Sequence, residues 1–225
     1  MEHHTLGCVI FDLDGTLLDS MNVWSQIDRN TEPLRQNCTD DLTEQVKKMT
    51  IQQSAQYFID RFQLPCQPEE FIALVQSMAA DAYRNTLQLK PGVFPLLDWL
   101  DARNVPYCVA TATYPDLAEA ALKRLQVWER IAFLMTEQEV DVGKSQPTIY
   151  RQAAGRMGCG KRQTVVVEDA VHAIETAATD GFFTVGVYEP TLSEMDWNTI
   201  QARATVSVKD LQKLLAEIQS GRIPL

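Results

Sequence analysis

Residues 8–20 read Cys-Val-Ile-Phe-Asp-Leu-Asp-Gly-Thr-Leu-Leu-Asp-Ser, so that two carboxylates come at the end of a short apolar run. The run Cys8–Leu13 is almost continuously hydrophobic, which is typical of a strand that is covered on both faces. Asp12 and Asp14 would repel each other unless a cation or a proton separates their charges. Because ligands of open α/β sheets bind beyond the carboxyl ends of the strands, we predict a binding site at this strand end.

Further apolar runs rich in β-branched residues follow along the chain and alternate with amphipathic helical patterns. The predicted strands after the first are Pro106–Thr111, Ile131–Thr136, Thr164–Val167, Phe183–Tyr188 and Thr205–Val208. The predicted helices between them include Val93–Arg103, Asp116–Leu125, Thr148–Met157 and Val171–Thr179. Strand and helix in alternation indicate an α/β fold with a Rossmann-like parallel sheet and right-handed crossovers.

The long segment between the first two predicted strands interrupts this alternation. It has no clear strand pattern and several helical patterns, with a capping box at Thr50–Gln53 and a second helix start at Pro68. We therefore predict an inserted helical cap domain over residues 20–88 and a core that comprises residues 1–19 and 89–225.

The composition is that of an ordinary globular protein, with 45% hydrophobic and 22% charged residues in a chain of 225. Twenty basic residues against thirty acidic ones give a formal charge of −10. This charge disfavours nucleic acid and anionic membrane surfaces as partners. No apolar run is long enough to span a bilayer and no signal peptide is recognised at the start, so we expect a cytoplasmic protein.

Three further features follow the opening motif in a fixed order. Thr111 ends the second predicted strand, Lys144 lies in a Gly-Lys-Ser-Gln-Pro loop, and Glu168-Asp169 ends the fourth strand and is followed by Gly181 and Gly186. With the opening motif, this order resembles the haloacid dehalogenase-like hydrolases. The branch with a helical cap after the first motif, which includes β-phosphoglucomutase and phosphoglycolate phosphatase-like enzymes, is the most similar.

The resemblance implies a role for each acidic residue. Asp12 would attack phosphorus as a nucleophile and form an aspartyl-phosphate, and Asp14 would exchange protons with the leaving group and with water. Mg²⁺ is the implied cofactor. Its expected ligands are Asp12, the backbone carbonyl of Asp14 and Asp169, with Glu168 as a further ligand or as a partner of one.

The resemblance also implies a set of groups that hold the phosphate. The hydroxyl of Thr111 and the ammonium of Lys144 would bind phosphoryl oxygens and offset the charge of the transition state. Ala112 is expected beside them, and Gly15 permits the tight turn that brings backbone amides to the phosphate. The expected function is that of a Mg²⁺-dependent phosphatase of small phosphorylated metabolites.

Other reactions of the family remain as alternatives. Dehalogenases and phosphonate-cleaving members generally lack the carboxylate that Asp14 provides, and the latter use a cap lysine, for which Lys47 and Lys48 are candidates. Phosphoester chemistry is therefore favoured. A catalytically inactive binding protein with the same fold is a further alternative, although the retained acidic and basic residues argue against it.

A β-phosphoglucomutase-type enzyme is the main alternative because it shares the cap and all the motifs. Such mutases carry a cap histidine and an arginine that holds the second phosphate, and the corresponding positions here are Trp24 and Ile51. Loss of the second phosphate contact favours a phosphatase. Trp24 and Lys47 are candidate cap contacts of the substrate, with a core role as the alternative for Trp24. A monomer is expected.

Overall fold

The computed structural model of the chain describes residues 7–23, 46 and 49–225. These residues form a six-stranded parallel sheet in the order β3-β2-β1-β4-β5-β6. The strands are β1 (Cys8–Phe11), β2 (Tyr107–Thr111), β3 (Leu134–Thr136), β4 (Thr164–Glu168), β5 (Phe183–Val187) and β6 (Val206–Val208). The Rossmann-like α/β fold and all six strands that the sequence predicts are confirmed, with ends that shift by a few residues.

The central strand β1 pairs with β2 on one side and with β4 on the other. Phe11, the last residue of β1, lies opposite Val109 of β2 and Val167 of β4. The chain order of the strands reverses direction at β1, and open α/β sheets bind ligands in the crevice at such a point. The topology therefore brings the ends of β1, β2 and β4 to one place.

Helices cover both faces of the sheet. The α-helices whose bounds are described are α1 (Ile51–Phe62) and α2 (Pro68–Asp81) in the segment between β1 and β2, and α3 (Val93–Asp101), α4 (Pro115–Arg124), α5 (Glu137–Val140), α6 (Thr148–Arg156), α7 (Val171–Asp180), α8 (Glu194–Arg203) and α9 (Leu211–Gln219) in the rest of the chain. The four helical patterns named from the sequence correspond to α3, α4, α6 and α7, whereas α5, α8 and α9 were not predicted.

The hydrophobic core has two layers because side chains of a strand alternate between its faces. Val9 and Phe11 pack in one layer with Leu97 and Leu117. Ile10 packs in the other layer with residues of α6 and α7 such as Ile149. Double coverage explains why the strands are hydrophobic throughout rather than alternating.

The inserted segment between β1 and β2 contains helices α1 and α2 in its described part. The predicted capping box at Thr50 is present, since its N–H donates to Gln53 Oε1 at 2.9 Å and its hydroxyl accepts from Gln53 N–H at 3.3 Å. The helix predicted to start at Pro68 is α2, and it continues into a π-helical turn, Ala82–Thr86. Residues 20–23, 46 and 49–88 contain no strand. The division into a core and a cap domain stays a prediction.

None of the helices in the described ranges combines the length and the apolar character that a bilayer span requires.

Candidate active site

The ends of the central strands bring together four residues that the sequence singles out. Asp12 follows β1, and its backbone N–H donates to the carbonyl of Val167 at 3.0 Å. Thr111 is the last residue of β2. Glu168 is the last residue of β4, and Asp169 follows it directly. These four side chains are buried, with exposures between 1% and 7%. Residues that lie far apart in the chain thus share one edge of the sheet.

Three of the carboxylates form a cluster that Lys144 joins. One oxygen from each of Asp12, Glu168 and Asp169 lies within 4.8 Å of the other two. The buried ammonium of Lys144 donates to Asp12 Oδ1 and, at 2.7 Å, to Glu168 Oε1. The cluster therefore carries more negative than positive charge in a site that is shielded from water.

The ionisation of the cluster reflects this imbalance. Burial raises the pKa of Asp12 well above its usual range, with help from the three neighbouring carboxylates and against the effect of Lys144. Burial and the charge of Glu168 raise the pKa of Asp169 to about 7. The pKa of Lys144 is raised, because its attraction to Asp12 and Glu168 outweighs the cost of burying it.

The cluster suits a divalent cation such as Mg²⁺. Its ligand atoms are carboxylate oxygens without imidazole or thiolate, which is the donor set that Mg²⁺ prefers. A cation among Asp12, Glu168 and Asp169 would remove the repulsion that raises the pKa values of two of them. The residues present therefore fit the metal that the family resemblance implies.

Other side chains fix the orientation of this cluster. The Tyr150 hydroxyl donates to Glu168 Oε1 at 2.9 Å, and the Thr16 hydroxyl donates to Asp169 Oδ1 at 3.0 Å. Glu137 Oε1 accepts the backbone N–H of Lys144 at 2.7 Å. None of these contacts was predicted from the sequence. Glu137 could have been found, because it follows β3 directly, as Asp12 follows β1.

Asp14 has a different environment from the other carboxylates. Its side chain is not part of the three-carboxylate cluster but is held by three hydroxyls. Ser20 donates to Oδ1 at 2.6 Å, Tyr83 donates to the same oxygen, and Thr113 donates to Oδ2. We call Ser20, Tyr83 and Thr113 the hydroxyl cradle of Asp14, and none of them was predicted from the sequence.

The predicted phosphate-binding residues lie beside Asp12 and Lys144. Thr111 and Ala112 line the same cavity as these two residues. The Thr111 hydroxyl accepts the backbone N–H of Thr113 at 3.0 Å. Its own proton can then be donated to a bound oxygen.

The cavity over the carboxylates has a volume of about 340 Å³. Its polar end contains the carboxylates, Lys144 and His172, whereas helices α1 and α2 contribute apolar side chains to the other end, including Phe58, Phe71 and Val75. Ile51, one of the two mutase-specific positions, also lines it. The predicted cap contacts Trp24 and Lys47 lie outside the described residues.

Gly15 gives a test of the packing under the site. Its φ is +83°, and a Cβ there would lie 2.2 Å from Asp169 Oδ2. We expect Gly15→Ala to displace Asp169 and to lower phosphatase activity at least about tenfold, by the loss that small misplacements in an active site cause. Initial rates at saturating and limiting Mg²⁺ measure the effect.

Gly158→Ala is the matched control for this change. Gly158 has a similar φ of +73°, but a Cβ there meets no atom within 4 Å. Both variants should therefore lose roughly 1–2 kcal/mol from the left-handed backbone conformation, whereas only Gly15→Ala should lose activity. Equal activity of the two variants would contradict the expectation.

Comparison with known proteins shows the family of this chain. Residues 9–187 match the family of haloacid dehalogenase-like hydrolases. A protein of Drosophila melanogaster named "Probable pseudouridine-5'-phosphatase" is 30% identical over 194 residues, which cover 82% of this chain and 83% of that protein. The chain therefore belongs to the haloacid dehalogenase-like hydrolases, as the motifs predict.

Further comparisons concern the activity and the fold. A protein of Thermotoga maritima named "Phosphorylated carbohydrates phosphatase" is 24% identical over 177 residues, which cover 78% of this chain and 82% of that protein. The named activity of these relatives is that of phosphatases, and the chain is a phosphoric monoester hydrolase. The structure of a β-phosphoglucomutase from Clostridium difficile superposes on this chain with a TM-score of 0.74 and an identity of 16%, over 96% of this chain and 96% of that one. This is a likeness of fold alone.

Proposed function

We propose that this chain is a Mg²⁺-dependent phosphatase that hydrolyses small phosphate monoesters through an aspartyl-phosphate on Asp12. The observation that carries the proposal is the convergence of Asp12, Glu168 and Asp169 with the ammonium of Lys144 on one buried strand edge. A phosphoryl group is anionic, and this edge offers it a nucleophile, a cation and the ligands of a metal ion. The cavity of about 340 Å³ above the edge has the size of a small-molecule site.

In the first step a carboxylate oxygen of Asp12 attacks phosphorus. The new O–P bond forms as the bond between phosphorus and the leaving oxygen breaks, and protonated Asp14 gives its proton to that oxygen. The products are an alcohol and an aspartyl-phosphate, and Asp14 is left as a carboxylate. Lys144 and the Thr111 hydroxyl stabilise the phosphoryl oxygens as negative charge develops on them.

In the second step Asp14 accepts a proton from water, and the water oxygen attacks phosphorus. The O–P bond to Asp12 breaks, which restores its carboxylate and releases inorganic phosphate. Asp14 is protonated again and ready for the next substrate. Mg²⁺, held by Asp12, Asp169 and Glu168, would supply charge neutralisation for the phosphoryl oxygens.

We assign the apolar end of the cavity to the leaving group and residues 20–88 to a cap over it. Phe58, Phe71 and Val75 of the inserted helices line this end. Exclusion of water by such a cover would protect the reaction of Asp12 with the substrate. The substrate is then a monoester whose alcohol is small enough for this space.

The test is a screen of phosphorylated metabolites with release of free phosphate as the readout. The panel contains pseudouridine 5'-phosphate, nucleoside monophosphates, sugar phosphates and polyol phosphates. We expect release from at least one of them with Mg²⁺, loss of release with excess EDTA, and recovery when Mg²⁺ is restored in excess. A failure to release phosphate from every member of the panel with Mg²⁺ would contradict the proposal.

The same screen addresses the mutase alternative. Ile51 is an apolar residue at one position where the mutases hold the second phosphate, and it lines the cavity. We therefore expect the rate of phosphate release from glucose 1-phosphate, or from another sugar phosphate of the panel, to exceed the rate of any isomerisation primed by a bisphosphate. Faster isomerisation of β-glucose 1-phosphate would reverse this order.

A further inference from the structure

Tyr83 lies at the point where the inserted helices return to the core. It belongs to the π-helical turn Ala82–Thr86 and is fully buried. Its hydroxyl donates to Asp14 Oδ1 and lies 3.5 Å from the Thr113 hydroxyl. A residue of the insertion therefore contacts the carboxylate to which the mechanism assigns the proton transfers.

The backbone that carries Tyr83 is held in place from the core side. The N–H of Leu87 donates to the carbonyl of Ala82 at 2.9 Å, five residues earlier, which closes the wide turn. Arg124 of helix α4 donates through Nε to the Tyr83 carbonyl at 3.4 Å and through its guanidinium to the Leu87 carbonyl. Single π turns within helices occur frequently at functional sites, and this one gives a fixed position to the Tyr83 hydroxyl.

The chemistry of the hydroxyl cradle suits a group that changes its protonation state. Ser20, Tyr83 and Thr113 each offer an O–H that can donate to a carboxylate and an oxygen that can accept from a carboxylic acid. Three hydroxyls can hold the side chain in one orientation as acid and as base, with only their protons turning.

We propose that Tyr83 is a positioning residue that holds Asp14 in the orientation for proton transfer at the leaving oxygen. This inference rests on the proposed function, since it assumes that Asp14 protonates the leaving alcohol. It assigns a specific task to the π-helical turn at the junction of insertion and core. A loose Asp14 would lower the rate mainly for substrates whose leaving group needs a proton.

The test compares two esters with Tyr83→Phe, which removes only the hydroxyl. One is an alkyl phosphate, either glycerol 3-phosphate or the alkyl ester of the screen that the wild type turns over fastest. The other is para-nitrophenyl phosphate, whose phenolate leaves without a proton. Because kcat/KM reports the steps up to departure of the leaving group, it should fall at least about tenfold for the alkyl ester and much less for the nitrophenyl ester.

Two further variants make the result specific. Tyr107→Phe is the matched control. Tyr107 is also buried, and its hydroxyl donates at 2.8 Å to the carboxylate of Asp101, which lies outside the site. It should leave the ratio of the two kcat/KM values unchanged. Ser20→Ala removes the other donor to Asp14 Oδ1 and should shift the ratio in the same direction as Tyr83→Phe.

The outcomes separate this inference from the function on which it rests. A wild type that releases phosphate from neither ester with Mg²⁺ would overturn the proposed phosphatase mechanism. With an active wild type, an equal loss on both esters in Tyr83→Phe, or no loss on the alkyl ester, would overturn the assignment of Tyr83 alone.

Discussion

Asp12→Asn is expected to abolish phosphate release, with a loss on the order of 10⁴-fold or more, as for other nucleophiles that belong to a catalytic unit. The amide has nearly the shape of the carboxylate but cannot attack phosphorus. Asp12 is buried and contacts Lys144 at the centre of the site. The measurement is release of free phosphate with saturating Mg²⁺ from the best substrate of the screen.

The same variant should fold normally. The pKa of Asp12 is raised in the folded protein, so its charged form is less favourable there than in the unfolded chain. Such a carboxyl group lowers the free energy of unfolding as the pH rises above its unfolded pKa. At neutral pH and without metal, Asp12→Asn should therefore melt at the wild-type temperature or higher.

Asp19→Asn is the control for this prediction. Asp19 belongs to the same motif, but its side chain is exposed and its backbone N–H donates to the carbonyl of Gln88 at 3.0 Å. Its substitution should change the rate by no more than about twofold, as is usual away from the chemistry. Metal-dependent turnover by Asp12→Asn above about one per cent of the wild-type rate would remove Asp12 as the nucleophile.

Lys144→Met should cost both activity and stability. The ammonium is 5% exposed and pairs with Asp12 and Glu168. Without it, phosphoryl oxygens lose a cationic partner, and we expect the rate to fall by about 10²- to 10³-fold. Removal of one partner from a buried ion pair leaves unpaired charge, which typically costs about 3–5 kcal/mol of the free energy of unfolding.

The stability of Lys144→Met should depend on pH and on Mg²⁺. Lys144 is the strongest influence that lowers the pKa of Asp12, so its removal raises that pKa further. A carboxyl group with a raised folded pKa contributes stability below its unfolded pKa and loses it as the pH rises through the folded value. The deficit should therefore be larger at pH 8 than at pH 5, and Mg²⁺ that binds the folded state should reduce it.

Denaturant unfolding of the wild type and the variant at both pH values, with and without Mg²⁺, measures these effects. Lys161→Met is the control, since Lys161 pairs with Asp180 at 3.0 Å while its own side chain is 44% exposed. An exposed pair of this kind contributes at most about 1 kcal/mol. If Lys144→Met were no less stable than Lys161→Met, the buried ion pair of Lys144 would not make the expected contribution to the free energy of unfolding.

The amino-acid sequence by itself determined the six strands, most of the helices and the residues of the opening motif. A strand that is covered on both faces of the sheet is continuously apolar in sequence, and this local pattern is enough to predict it. The run that contains Val165 and Val166 is an example. The Thr50 capping box is likewise a signal within four residues. Helix α8 was missed because its apolar face is weak, with Ile200 as its one fully buried residue.

Only the tertiary structure decided which side chains surround each carboxylate. Lys144 meets Asp12 across 132 positions of sequence, and Tyr83 meets Asp14 across 69. No local pattern encodes such pairs, because they depend on the strand order at β1 and on how the insertion returns to the core. The sequence thus determined which chemical groups are present at the strand ends, and packing decided that Asp14 faces hydroxyls while Asp12 faces an ammonium.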